Sequence, residues 1–281
     1  MPLRGRLLLS GARSGAWNMA LDEALLETAR EDVLTLRLYG WRPATLSLGR
    51  FQRRSAVPPG LSDRFPLVRR PTGGGAIIHG TDEITLSLSG RAGFAPPTPR
   101  AAAEWICAAV QGALARFGLK PYLAAERLAG DSMPEASLRE KPPMPSLFCS
   151  TIRNPLDILV QGPKGARKLL GTAQRRMGNA WLIHGGLALR RPPEASAMEG
   201  EEAGTSILES LPSAWRTGDL ESTDPPALED LRSQVLEALA PAFSAVLGMT
   251  FEVGPLEPQE AQLACLRLAN RYASPAWNRR L

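Results

Sequence analysis

Two periods of hydrophobicity alternate along this chain, one helical and one of two residues, and the switches between them mark its elements. Over residues 14–30, Met19, Leu21, Leu25 and Leu26 gather near one helical face and carboxylates near the other, which predicts an amphipathic helix. Residues 34–39 and 44–48 alternate apolar with polar on either side of Trp41-Arg42-Pro43, the pattern of paired strands. Strand patterns follow at 68–70, 76–79 and 84–89, so the glycine-rich turn between the first two sits within a sheet. A helical run covers 101–117, strands resume at 156–160, 168–173 and 180–189, and two helices follow over 228–247 and 258–272. Residues 135–145, rich in proline and charge, read as a surface excursion, and 191–206, rich in Pro, Glu, Ala and Gly, as an exposed loop. Interleaved helices and strands without a βαβ rhythm give an α+β fold, with helices flanking a mainly antiparallel central sheet. Residues 1–225 read as one domain and 226–281 as a C-terminal helical extension packed on it.

At 281 residues and 44% hydrophobic content, the chain can bury a substantial core. No segment reaches the ~18–20 uninterrupted apolar residues of a membrane-spanning helix. The start, Met1-Pro2-Leu3-Arg4-Gly5, lacks the apolar core of a secretory signal, so the expected setting is the cytoplasm, with no membrane partner. Cys107, Cys149 and Cys265 are scattered and odd in number, which points to reduced thiols rather than a disulfide framework or a zinc site. The net charge of +5 comes from dispersed basic residues with few aromatics among them. Attraction to an acidic protein or to phosphates accounts for it better than nucleic acid does.

The densest chemical signal is Arg69-Arg70-Pro71-Thr72-Gly73-Gly74-Gly75-Ala76-Ile77-Ile78-His79. Successive glycines lose the most backbone entropy on folding and are kept where positive φ is needed or a ligand lies against the backbone. With two cations ahead of them they read as an anion-binding turn. Cys149 stands at a loop-to-strand junction, where a thiol either faces a cleft as a nucleophile or packs as a small hydrophobe. Cys107 and Cys265, inside helical runs, suit packing. Lys168 places one ammonium at the head of Leu169-Leu170-Gly171-Thr172-Ala173, where it faces either water or an anion. The two histidines, His79 and His184, each end an apolar segment; a structural role suits them as well as a base, and their surroundings predict no metal site.

Several segments carry a resemblance in a fixed order: Asn18-Met19-Ala20-Leu21-Asp22, Trp41-Arg42-Pro43, Ser47-Leu48-Gly49-Arg50-Phe51-Gln52 and Arg69 through Ala76. They continue with Lys168 through Arg176, His184-Gly185 and Arg271-Tyr272-Ala273-Ser274-Pro275-Ala276-Trp277-Asn278. Together they resemble the biotin and lipoate protein ligase superfamily, and within it the octanoyltransferases and lipoate ligases that modify lipoyl domains. The resemblance implies a catalytic domain over residues 1–225 whose central sheet cradles an acyl chain and, in the ligases, an acyl-adenylate. It puts catalytic roles on Cys149 and Lys168. Substrate-binding roles fall on Arg70, Gly73, Gly74, Gly75, Ala76, His79, Gly171, Thr172, Ala173 and His184.

Cys149 matches a cysteine that one branch of octanoyltransferases carries ahead of the strand leading to the lysine motif. The resemblance then implies transfer of an octanoyl or lipoyl group from acyl carrier protein to the thiol, with no cofactor. From there it passes to a lysine in a lipoyl domain of a 2-oxoacid dehydrogenase or of the glycine-cleavage carrier protein. Gly73 to Gly75 look more like the ATP-using ligases, in which ATP and Mg2+ would give a lipoyl-adenylate and Cys149 would be incidental. A third alternative is a non-catalytic binder of lipoyl domains. A biotin ligase fits less well, because its Gly-Arg-Gly-Arg signature is absent.

Overall fold

Strands β1 (Arg4–Arg13) and β2 (Val33–Trp41) lie side by side in parallel, and β2 shows how one alternating sequence builds two different layers. Leu34, Leu36 and Leu38 enter a large apolar core on one side of the sheet, while Thr35, Arg37, Tyr39 and Trp41 face the other side, also buried. In a computed structural model, the described residues are 3–58, 60–94, 96, 98–125, 148, 154–162, 165–192, 204–211 and 225–280. Cys149 and the expected excursion at 135–145 lie outside them.

Strand β6 (Glu83–Gly90) repeats the division, with Ile84, Leu86 and Leu88 toward the apolar core and Glu83, Thr85, Ser87 and Ser89 toward the polar side. With β10 (Thr172–Met177), β11 (Ala180–Ala188) and β12 (Phe251–Val253), these strands form a six-stranded sheet of order β10-β11-β6-β2-β1-β12. Pairing is antiparallel from β10 to β2 and parallel from β2 through β1 to β12. The α+β class therefore holds, and the sheet is mixed. β1 escaped the sequence reading because Leu7-Leu8-Leu9 is a continuous run; Leu7 and Leu8 belong to apolar clusters on opposite sides of the sheet.

Helices α3 (Pro99–Leu114) and α5 (Pro225–Leu247) cover the apolar side, with Ile106, Val110, Val235, Leu239 and Phe243 in its core. The start of α3 is fixed by Thr98, whose hydroxyl accepts from the Ala101 N–H at 3.0 Å, and by Pro99 in its first turn. The polar side is covered by α1 (Gly15–Glu27), capped by Ser14, and α1 packs in turn on α6 (Pro258–Arg267). Residues 18–26 of α1 are all buried. Its carboxylate face is therefore not a solvent face: Asp22 and Glu23 are each 0% exposed.

Two three-stranded sheets flank this body. One has the order β4-β3-β5, with β3 (Thr45–Leu48) between β4 (Leu67–Arg69) and β5 (Ile77–His79), so the glycine turn does lie within a sheet. The expected pairing of 34–39 with 44–48 does not occur, because both edges of β2 are occupied by β1 and β6, and β3 starts a new sheet. The other sheet has the order β7-β8-β9, from Tyr122–Leu123, Ile158–Gly162 and Gly165–Leu170. The single strand expected over 168–173 is thus two, β9 and β10, which divide at Gly171 and join different sheets. Of the loop expected over 191–206, residues 193–203 lie outside the described ones, whereas Thr205 and Ser206 are buried. The Thr205 N–H donates to the Lys168 carbonyl at 2.7 Å.

Candidate active site

The polar side of the sheet is organised around two carboxylates. Asp22 accepts from Arg37 Nη1 at 2.6 Å and Ser87 Oγ at 3.1 Å on one oxygen, and from Tyr39 Oη at 2.9 Å on the other. That second oxygen also lies 3.0 Å from His184 Nδ1. Burial pushes the Asp22 carboxyl up, but Arg37 and His184 outweigh it and hold the group below its ordinary value. His184 Nε2 is 2.8 Å from Thr72 Oγ1, so a chain of polar contacts runs from α1 through β11 to the glycine turn.

A second chain reaches the same turn through Glu83. Its Oε1 lies 2.8 Å from His79 Nδ1, and His79 Nε2 lies 2.8 Å from Ser47 Oγ. Nδ1 faces the Glu83 carboxylate and therefore donates to it; burial lowers the His79 pKa despite Glu83, which favours a neutral ring whose Nε2 accepts from the Ser47 hydroxyl. Ser47 Oγ in turn accepts from Arg70 Nη1 at 2.6 Å. The other arm of Arg70 donates to the Gly73 and Gly75 carbonyls at 3.1 and 2.8 Å, closing the turn on itself. The His79 ring stacks on Trp41, with centroids 3.8 Å apart. At 4% exposure His79 supports Arg70 from within the protein rather than lining an open surface.

Glycine is required twice here. Gly74 has φ +96°, a left-handed conformation that side chains disfavour. A Cβ on Gly49 would lie 1.8 Å from the Gly74 carbonyl oxygen, so the two backbones meet only because Gly49 has none. Arg69, 0% exposed, donates to the carbonyls of Gly49, Gln52, Trp277 and Arg280, pinning the C-terminal segment beside the turn.

Lys168 comes from a hairpin. β8 and β9 pair antiparallel, but Ile158 faces Leu170 while Leu159 faces Lys168, leaving Leu169 as an extra residue. Such a bulge re-aims the neighbouring side chains. Lys168 Nζ lies 3.0 Å from Asp157 Oδ1, just ahead of β8, and the Asn154 N–H holds the other Asp157 oxygen at 2.7 Å. Burial pushes the Asp157 carboxyl above its ordinary range and Lys168 draws it part of the way back. Gly171 lies under the lysine: a Cβ there would be 2.8 Å from Lys168 Cε.

Beyond that glycine, Thr172 pairs with Gly185 and Ala173 with His184. A Cβ on Gly185 would meet the Gly171 carbonyl at 2.9 Å. The lysine hairpin, His184 and the Thr72 turn are thereby brought together. Ala76, at the end of that turn, bridges to Phe148, the residue before Cys149 in the chain. Cys149 itself falls outside the described residues.

Sequence reasoning missed Asp157, Glu83 and Ser47 as site residues. Asp157 carried a readable signal, since a hairpin between 156–160 and the lysine motif brings it near Lys168. Glu83 had none, because an acid at the head of an alternating strand ordinarily faces water, and Ser47 carried only its place in the Ser47-to-Gln52 segment of the resemblance.

Residues 14–195 match the lipoyl protein ligase A/B catalytic domain. The octanoyltransferase LipM of Kyrpidia tusciae is 32% identical over 287 aligned residues, covering 98% of each chain. That of Staphylococcus aureus is 30% identical over 286, covering 95% of each. In fold, a T. acidophilum protein solved with bound lipoic acid matches with a TM-score of 0.72 at 20% identity, over 99% of this chain and all of its own. A lipoate-protein ligase A bound with ATP matches with a TM-score of 0.68 at 20% identity, over 99% of each chain. The chain therefore belongs to the lipoyl protein ligase A/B catalytic-domain family.

Proposed function

We propose that this protein is an octanoyltransferase of lipoylation: it takes an octanoyl group from a carrier-protein thioester, holds it on Cys149, and delivers it to a lysine of a lipoyl domain. The observation that carries this reading is the full-length match to octanoyltransferases at 32% identity over 98% of both chains. Transfer through a thiol splits one difficult step into two. The Cys149 thiolate attacks the donor carbonyl, the carrier's sulfur leaves and takes up a proton, and the acyl group remains on Cys149. The acceptor amine then attacks that carbonyl, the Cys149 thiolate leaves, and the nitrogen sheds a proton to give the amide.

Lys168, held by Asp157, supplies the positive charge that offsets the oxyanion in both steps. A free thiol of pKa ~8.5 is mostly protonated at neutral pH, and a nearby cation raises a thiol's reactive fraction. Arg70 with Gly73, Gly74, Gly75 and Ala76 shapes one wall of the acyl site, and Gly171, Thr172, Ala173 and His184 the facing one. Residues 1–225 carry the acyl transfer itself, and 226–281 pack on them through helices and one strand, β12, at the edge of the central sheet. The donor is acyl carrier protein, and the acceptors are lipoyl domains of 2-oxoacid dehydrogenases or the glycine-cleavage carrier; a related fold is known from a bi-partite lipoate protein ligase and its E2 lipoyl domain from Thermoplasma acidophilum. The setting is the cytoplasm, and no cofactor is needed.

The test is the intact mass of an apo lipoyl domain after incubation with the protein and octanoyl carrier protein, without ATP. Octanoylation supports the transferase. Modification only from octanoate or lipoate with ATP and Mg2+ makes the protein a ligase, the alternative that the triple glycine favours.

A further inference from the structure

Four arginines from three separate stretches of chain converge beside the site with one carboxylate among them. The Trp277 indole is ringed by Arg280, Arg271 and Arg50, with guanidinium carbons 3.6, 4.6 and 5.9 Å from the ring centroid. Arg175 of β10 joins Arg271 on Glu23, which Arg271 holds at 2.6 and 2.7 Å and Tyr272 at 3.0 Å. Among the described residues Glu23 is the only carboxylate hydrogen-bonded to these four arginines, so within that set guanidinium groups outnumber the carboxylate they share.

Stacking on an indole offsets only part of the repulsion between guanidinium groups. Burial, and then Arg175, push the Arg50 guanidinium below its ordinary value; burial, and then Arg50, do the same for Arg280. Arg280 donates from Nη2 to the Arg50 carbonyl at 3.1 Å, yet its buried Nε has no acceptor among the described residues. The cluster remains partly open, with Arg175 and Arg271 side chains 17% and 31% exposed. Planar guanidinium forks in excess of carboxylate, partly desolvated, are the arrangement that recognises phosphate oxygens.

The cluster is joined to the site. The Arg50 N–H donates to the Thr72 carbonyl at 2.8 Å, and Arg175 follows Thr172 by three strand residues, about 10 Å at a rise of ~3.3 Å per residue. We propose that Arg50, Arg175, Arg271 and Arg280 form a phosphate-binding subsite that holds the phosphodiester of the donor's pantetheine arm while its thioester reaches Lys168. This assignment of the phosphate's source rests on the carrier-dependent transferase reading.

Arg50 and Arg280 are the members whose side chains do not hold Glu23, so Arg50→Gln/Arg280→Gln is the informative variant. Titration of the full-length protein with inorganic phosphate reads the subsite without any reaction. The wild type is expected to bind, and the variant at least about tenfold more weakly, with Arg50→Lys/Arg280→Lys recovering part of the loss. Steady-state transfer from octanoyl carrier protein and from octanoyl-pantetheine, which lacks the phosphate, then reads the source. In the variant, KM for the carrier rises about tenfold with kcat little changed, while KM for octanoyl-pantetheine stays put.

Equal phosphate binding by wild type and double variant overturns the subsite. Phosphate binding that the variant loses, with both donors affected alike, overturns the assignment to the donor's arm. If no thioester donor works and ATP is required, the transferase reading fails and takes the donor-arm assignment with it, whereas the phosphate titration still decides the subsite.

Discussion

The Lys168 ammonium sits 3.0 Å from Asp157 Oδ1, with the two side chains 10% and 6% exposed, so the hairpin carries a nearly enclosed ion pair whose partners depend on each other. Removing one member of such a pair takes from the other an opposite charge that offsets its burial. Asp157→Ala is expected to lower unfolding free energy by about 3 kcal/mol, read from urea denaturation, and to depress transfer. The double variant Asp157→Leu/Lys168→Met is expected to recover much of the stability and none of the activity. Recovery of both would remove Lys168 from the chemistry.

Gly171 and Gly49 separate positioning from folding. A methyl at Gly171 meets the far end of the flexible Lys168 side chain, which can move aside at little cost in stability. Gly171→Ala is therefore expected to melt close to the wild type and to lose about 10- to 100-fold in kcat, the effect of a misplaced group.

A methyl at Gly49 meets the Gly74 carbonyl, backbone against backbone, at 1.8 Å. Gly49→Ala is expected to destabilise by more than about 2 kcal/mol through strain in the turn. Urea denaturation of both glycine variants checks the contrast, and equal effects would contradict it.

His79 makes stability depend on pH. Burial holds its folded pKa below the ordinary value of about 6.5, so as pH falls below that value the unfolded chain binds a proton that the folded chain refuses. The contribution is complete above about pH 6.5 and is lost as pH falls toward the depressed folded value. Denaturation of the wild type and His79→Gln at about pH 7 and pH 5 is expected to show a shallower decline in the variant. Parallel declines would mean that His79 is protonated in the folded protein.

Much of this was legible before the fold was known. The glycine turn, the lysine motif, the alternation of β6 and the helices at 101–117, 228–247 and 258–272 were all visible as periodicity and turn chemistry. What alternation cannot report is what covers the polar side of a strand. Alternation alone would turn Arg37, Thr85 and Ser87 to solvent, yet they and Glu83 are buried; Asp22 meets the Arg37 charge, and Glu83 accepts from Trp41 and Thr85. The division of 168–173 at Gly171 was hidden for a related reason: a single glycine in an apolar run looks like a small strand residue, and only the two different partners, β8 and β11, show that the chain changes sheets there. The arginines of the C-terminal segment stand out only once Glu23 and Trp277 bring them together.

In the proposed transfer the acyl group passes through Cys149. Intact-protein mass spectrometry after incubation with octanoyl carrier protein, without ATP and without acceptor, tests it most directly. One octanoyl adduct is expected on the wild type, released by hydroxylamine, mapped to the peptide holding Cys149, discharged when apo lipoyl domain is added, and absent from Cys149→Ala. Undiminished octanoylation of the lipoyl domain by Cys149→Ala would contradict it.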